Sequence, residues 1–162
     1  MLIFTMYMSV VNILFVCSGN TCRSPMATAI FKRAIKDGGY DGKIKCGSAG
    51  ISASVGEDMA ENAKLALKQL GITFKTHKSE QFSLKQLKKN KYVFTMTQDI
   101  KNAICSTCLG ALNVYSLKEF IGGEDVPDPY GGSFEEYFDV AKYLKYVMGR
   151  LLDRIVLECR LK

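Results

Sequence analysis

No apolar run in this 162-residue chain reaches the ~18–20 residues that span a bilayer. The longest candidate, residues 1–16 (MLIFTMYMSVVNILFV), carries no charge, yet it lacks the basic stretch and the small-residue cleavage site of a secretory leader. Residues 1–8 are therefore expected to be an N-terminal extension, with Met8 as an alternative start. Internal repeats and low-complexity tracts are absent. With 48% hydrophobic and 23% charged residues, the composition excludes disordered, collagenous and coiled-coil classes. Histidine is almost absent too, His77 being the single one. Structural zinc sites want four ligands. Cys105-x2-Cys108 could supply two, but only Cys46, Cys159 and His77 remain as partners and none is paired, so no metal or other cofactor is expected.

What is present is an ordinary globular balance and a basic excess. A chain of this length buries a core without staples, so the six cysteines (Cys17, Cys22, Cys46, Cys105, Cys108, Cys159) read as thiols of a reducing compartment, the cytoplasm. The net charge of +6 suits anionic partners without naming one. The run Lys85–Lys91 (KQLKKNK) lacks interleaved aromatics and reads as a solvated helix face that steers acidic partners, not as a nucleic-acid site.

Short β-rich runs alternate with helical patterns, the signature of βαβ units and a parallel sheet. Val10–Val16 is a continuous apolar run suited to burial on both faces. After the polar turn Cys17–Arg23, Ser24 and Pro25 are placed to open a helix as N-cap and first helical residue. Its buried stripe is Met26, Ala27, Ile30, Phe31, Ala34 and Ile35, and Gly38–Gly39 end it. A second strand is expected near Lys43–Gly47, a helix over Asp58–Leu70 stopped by Gly71, and a third strand over Tyr92–Met96 leading into a helix started by Thr97. Asn113–Tyr115 suggests another strand, and Ile121–Gly132, rich in Gly, Pro and Asp, a loop. A capping box of Ser133 and Glu136 starts the last helix. The result is a single α/β domain with helices on both faces of an open sheet, whose ligands bind at the carboxyl ends of the strands.

Cys17 sits at one such end, in Cys17-Ser18-Gly19-Asn20-Thr21-Cys22-Arg23-Ser24. A loop wrapped at a helix start aims several backbone N–H groups at one point, with the positive end of the helix dipole behind them. Arg23 can fork two N–H donors onto a tetrahedral oxyanion. The same positive elements favour a thiolate at Cys17. Ser24 has two roles open to it, capping the helix or donating its hydroxyl to the sulfur, and Asn20 could brace the loop. A bare Cys-x5-Arg carries little information. Between an apolar strand and a Ser-Pro helix start, it describes an anion cradle with a nucleophile at its floor. Attack on phosphorus then needs a general acid. Asp128 in Val126-Pro127-Asp128-Pro129-Tyr130-Gly131-Gly132 is the candidate, held by flanking prolines, although Asp-Pro in isolation reads as a plain turn.

The segment Val16–Ala27 resembles the signature of the low-molecular-weight protein tyrosine phosphatases, and Asp128-Pro129-Tyr130 is similar to that family's general-acid loop. The similarity covers residues 9–160, including Ser48-Ala49-Gly50, read as a turn after the second strand. It implies a four-stranded parallel sheet flanked by helices, a phosphate-binding loop after the first strand, and one phosphatase domain over residues 9–162. The implied reaction is a metal-free, two-step hydrolysis of phosphorylated proteins by a monomer. Cys17 attacks, Arg23 clamps the phosphate with the loop residues Ser18, Gly19, Asn20, Thr21, Cys22 and Ser24, and Asp128 serves as acid and then base. Tyr130 matches an aromatic wall of the pocket. Asn20, Ser24, Ser48 and His77 match supporting positions, though for His77 a solvated loop residue is the competing reading. Cys22 matches a cysteine that in the family forms a reversible disulfide with the nucleophile.

Position 18 departs from the pattern. Tyrosine-directed members carry a bulkier aliphatic residue there, whereas members acting on phosphoarginine resemble Cys-Thr-Gly-Asn-Thr-Cys-Arg-Ser. Ser18, Thr21, Met26 and Gly131-Gly132-Ser133 lean to that bacterial arginine-phosphatase branch, and Tyr130 leans back. Phosphotyrosine is put slightly ahead as the family's general substrate, with phosphoarginine as the alternative. A thiol-dependent arsenate reductase is a remote third reading, since it would use Cys105 and Cys108 as an electron relay.

Overall fold

The structure is a computed structural model and describes residues 9–162; the expected extension over residues 1–8 lies outside the described residues. Ten elements follow one another as β1 (Val11–Cys17), α1 (Arg23–Asp37), β2 (Ile44–Gly50), α2 (Glu61–Gln69), α3 (Leu84–Lys89), β3 (Tyr92–Thr95), α4 (Gln98–Thr107), β4 (Val114–Ser116), α5 (Leu117–Ile121) and α6 (Phe134–Glu158). The four strands form one all-parallel sheet in the order β2-β1-β3-β4. β1 is therefore central, which is why VNILFVC is an almost unbroken apolar run. The chain moves from β1 to β2 in one direction and from β2 back to β3 in the other. The carboxyl end of β1 thus lies at the topological switch point.

Right-handed crossovers place α1 and α4 on opposite faces. α1, α2 and α6 pack against one another. α6 carries the largest share of that layer, burying Tyr137, Val140, Ala141, Leu144, Val147, Met148, Leu151, Leu152 and Ile155. Each such aliphatic side chain contributes about 1.5–3 kcal/mol when removed from water. Its start is the expected capping box of Ser133 and Glu136. Thr97 likewise caps α4, accepting from the Ile100 N–H.

Several boundaries differ from expectation. α1 begins at Arg23 with Cys22 as N-cap, so Ser24 is not the cap and Pro25 is the third helical residue. Proline is tolerated there because N–H groups of the first turn have no helical acceptor. Ser48-Ala49-Gly50 is not a turn. It extends β2, paired in register with Phe15-Val16-Cys17, because main-chain pairing with β1 continues to the end of the central strand. α2 starts at Glu61, since Asp58 is drawn into an isolated bridge with Lys78. α3 occupies the first part of the lysine run, and α5 was not expected, although Ser116 and Glu119 form its capping box.

Candidate active site

Residues 17–23 curl from the end of β1 into α1 around the Cys17 sulfur. Two groups meet that sulfur: the Ser24 hydroxyl oxygen lies 2.9 Å away, and the Asn20 backbone N–H donates to it at 3.2 Å. Of Ser24's two readings, the structure shows the contact with sulfur. Asn20 adopts a left-handed backbone (φ +59°) and is fully buried. Such a conformation costs a non-glycine residue ~1 kcal/mol. Its side chain offsets that cost, with Nδ2 donating to Ser24 Oγ (2.8 Å) and Ser48 Oγ (2.9 Å) and Oδ1 accepting from the Glu80 N–H (2.9 Å). His77 is half-buried, and its Nε2 lies 2.7 Å from the Asn20 carbonyl.

The loop is also fastened from outside. The Ile51 N–H donates to Cys17 O (3.0 Å), the Ser52 N–H to Ser18 O (2.9 Å) and the Ala60 N–H to Thr21 O (2.9 Å). Gly50 lets the strand approach this closely: a Cβ there would lie 2.4 Å from the Ser18 oxygen and 2.9 Å from the Asn20 nitrogen.

Arg23 is buried to 5% exposure, a placement charged groups take only when partnered. Its Nη1 donates to Val126 O (3.3 Å), and its Nη2 donates to Ser18 Oγ (3.4 Å) and Asp128 Oδ2 (2.8 Å). Asp128 thus arrives from the loop before α6 as an ion-pair partner of Arg23, its other oxygen accepting from the Tyr130 N–H (3.2 Å). Cys22 is buried, with its sulfur 3.2 Å from the Tyr137 hydroxyl. Burial and that contact push the Tyr137 phenol well above the ordinary tyrosine range. Cys17 and Cys22 are both free thiols.

These groups surround a cavity of about 330 Å³ lined by the 17–23 loop together with Ser52, Ser54, Glu57, Asp128 and Tyr130. All the expected catalytic and binding residues except Ser24 line it; Ser24, Ser48 and His77 stand behind the loop wall. Cys105, in α4, and Cys108, its C-cap, do not line the cavity. Ser52, Ser54 and Glu57 had no signal in the sequence, since loop residues reach the cavity only through the β2–α2 connection's path. Gly50 was visible within Ser48-Ala49-Gly50, but its close approach was not.

The family model for low molecular weight phosphotyrosine protein phosphatase matches residues 12–160. A protein-arginine-phosphatase from Geobacillus stearothermophilus is 34% identical over 150 residues, covering 91% of this chain and 97% of that one. The low molecular weight protein-tyrosine-phosphatase YfkJ from Bacillus subtilis is 36% identical over 140 residues, covering 82% and 89%. The solved YwlE arginine phosphatase from Geobacillus stearothermophilus matches with a TM-score of 0.82 at 34% identity, covering 91% of this chain and 94% of that one. With the loop, the clamp and the acid-bearing segment gathered at one cavity and the family model spanning nearly the whole domain, the chain belongs to the low molecular weight phosphotyrosine protein phosphatase family.

Proposed function

We propose that this chain hydrolyses phosphorylated side chains of proteins through a phosphocysteine intermediate, and the convergence of Cys17, Arg23 and Asp128 on one cavity carries that reading. The Cys17 thiolate, held by donors from Ser24 and Asn20, attacks phosphorus. A bound phosphoryl group competes for the Arg23 guanidinium, which frees Asp128 from its ion pair to face the leaving atom. The sulfur–phosphorus bond forms, the bond to the leaving oxygen or nitrogen breaks, and protonated Asp128 delivers its proton to that atom. In the second step water attacks phosphorus, the Asp128 carboxylate takes its proton, and inorganic phosphate leaves with the Cys17 thiolate restored. Loop N–H groups and the α1 dipole stabilise the equatorial oxygens throughout. In this reading the chain acts as a monomer in a reducing, cytoplasmic setting, where a thiolate nucleophile stays reduced.

Two side chains are candidates for the leaving group. Tyr130, 79% exposed at the cavity, supports phosphotyrosine as an aromatic wall. The rest of the lining supports phosphoarginine: Ser18, Thr21, Ser52, Ser54 and Asp128 offer acceptors suited to guanidinium N–H groups, and among the described lining residues Tyr130 is the one aromatic side chain, so a phenyl ring finds no second aromatic face. We place phosphoarginine first on that ground. Parallel steady-state turnover of a phosphoarginine and a phosphotyrosine peptide, with Cys17→Ser as blank, tests both statements. A kcat/KM higher for phosphoarginine by about tenfold or more is expected, since pocket acceptors left without donors penalise the wrong substrate. The opposite ratio assigns the pocket to phosphotyrosine. Turnover of neither, or turnover surviving in Cys17→Ser, refutes the mechanism.

A further inference from the structure

Glu57 stands against the logic of the cavity it lines. An anion site gains from positive surroundings, yet here one guanidinium, Arg23, shares the lining with two carboxylates, Asp128 and Glu57. Asp128 is paired with Arg23, and the neighbouring Asp58 is paired with Lys78 at 2.8 Å. Among the described residues no cation pairs with the Glu57 carboxylate.

Nor is Glu57 a loosely tethered surface residue. Ser79, 1% exposed, ties down its main chain from both sides. The Glu57 N–H donates to Ser79 Oγ (2.9 Å), the Ser79 N–H donates to Glu57 O (2.8 Å) and the Gly56 N–H donates to Ser79 O (2.9 Å). The Ser79 hydroxyl also donates to the Ser54 carbonyl. The main chain of the 54–57 segment is therefore fixed beside the phosphate loop, and from it the exposed Glu57 side chain lines the cavity. An unpaired carboxylate there disfavours a bare phosphate dianion and favours a substrate that brings its own cation.

Resting on the phosphatase reading above, we propose that Glu57 is a specificity-determining residue that selects phosphorylated sites with a lysine or arginine next to the phosphorylated residue. The cation would pair with Glu57 while the phosphate sits on the loop between Cys17 and Arg23.

The test uses the full chain and three phosphopeptides alike except for Lys, Ala or Glu beside the phosphorylated residue, which is the one turned over faster by the wild type. The Lys-to-Glu ratio of kcat/KM is compared between wild type and Glu57→Gln, with Glu61→Gln on α2 as a control for the general field. An exposed ion pair predicts a ratio about fivefold higher in the wild type than in Glu57→Gln, shrinking at high salt. Glu57→Lys should lower the ratio further. Wild-type turnover with the same ratio in Glu57→Gln overturns this proposal alone, as does an equal shift in Glu61→Gln. Absence of Cys17-dependent turnover on every peptide overturns the phosphatase reading and this proposal with it.

Discussion

Replacing Gly50 by alanine should damage the phosphate loop without touching a reacting atom. The added Cβ would sit 2.4 Å from Ser18 O, 2.9 Å from Asn20 N and 3.0 Å from Gly19 C. All three are loop backbone, so no side chain can swing away. The strand cannot retreat easily either. Gly50 is paired with Cys17, its N–H donates to Glu80 O (2.9 Å), and its carbonyl accepts from the Phe82 N–H (2.8 Å). Ordinary contact begins near 3.4 Å, so the loop must yield by about 1 Å at Ser18. A misplacement of that size costs about 100-fold in rate, and the overpacking costs about 1–3 kcal/mol of stability. For a domain of this size each kcal/mol lowers Tm by roughly 2–4 °C. The assay is steady-state turnover of a small aryl phosphate together with thermal unfolding followed by circular dichroism. Gly47→Ala, three residues earlier on the same strand, is the control, since its Cβ would meet only Leu14 Cδ1 at 4.0 Å. If Gly50→Ala keeps kcat/KM within roughly threefold of the wild type at an unchanged Tm, the reasoning that a rigid loop backbone sets the reaction geometry is wrong.

Three further outcomes are expected. Asp128→Asn should lower kcat by about 100-fold or more on substrates with poor leaving groups, while inorganic phosphate inhibits more tightly by up to about fivefold because Arg23 loses its half-exposed competitor; weaker phosphate inhibition would contradict the ion-pair exchange. Asn20→Ala leaves the Glu80 N–H without its acceptor and puts alanine at a positive φ, costing about 1–3 kcal/mol, and Asn20→Gly should recover the backbone share of stability but not the activity; recovery of both would remove the side-chain network from the argument. Burial pushes the Cys46 thiol from 9.0 up to about 12, so its neutral form is favoured in the folded chain. Its stabilisation is complete below pH 9.0 and is lost as pH rises from there toward about 12. Urea unfolding midpoints should fall over that range and fall less in Cys46→Ala; identical slopes would exclude Cys46 as the cause.

Much of the site was legible because its chemistry is written in contiguous residues. Cys17, Asn20, Arg23 and Ser24 lie within one loop, and a strand–loop–helix context forces such a loop to point its N–H groups inward. Asp128 was legible through its prolines and its resemblance to the family's acid loop, yet its ion pair with Arg23, 105 residues earlier in the chain, is a tertiary contact. Ser-Pro at a helix start leaves Ser24 two local readings, cap or partner of the sulfur, and only the start of α1 at Arg23 and the position of the Cys17 sulfur select the second. Ser48-Ala49-Gly50 lacks strand-forming side chains and was read as a turn, since β propensity reflects packing and these small residues are held by pairing with β1.

The sequence by itself determined the parallel α/β architecture, through alternating buried strands and amphipathic helices, and it singled out Cys17, Arg23 and Asp128 as the candidates for nucleophile, clamp and acid. Tertiary structure alone decided what surrounds them. Gly50 leaves no room for a Cβ because β2 runs against the loop backbone, and His77 meets the Asn20 carbonyl because its segment crosses the loop there. Glu57 reaches the cavity because a buried serine, Ser79, pins its main chain. Periodicity and motif spacing report which faces are buried and which residues share a loop. Contacts between segments 22 to 105 residues apart depend on how the layers stack, and no local pattern encodes that distance.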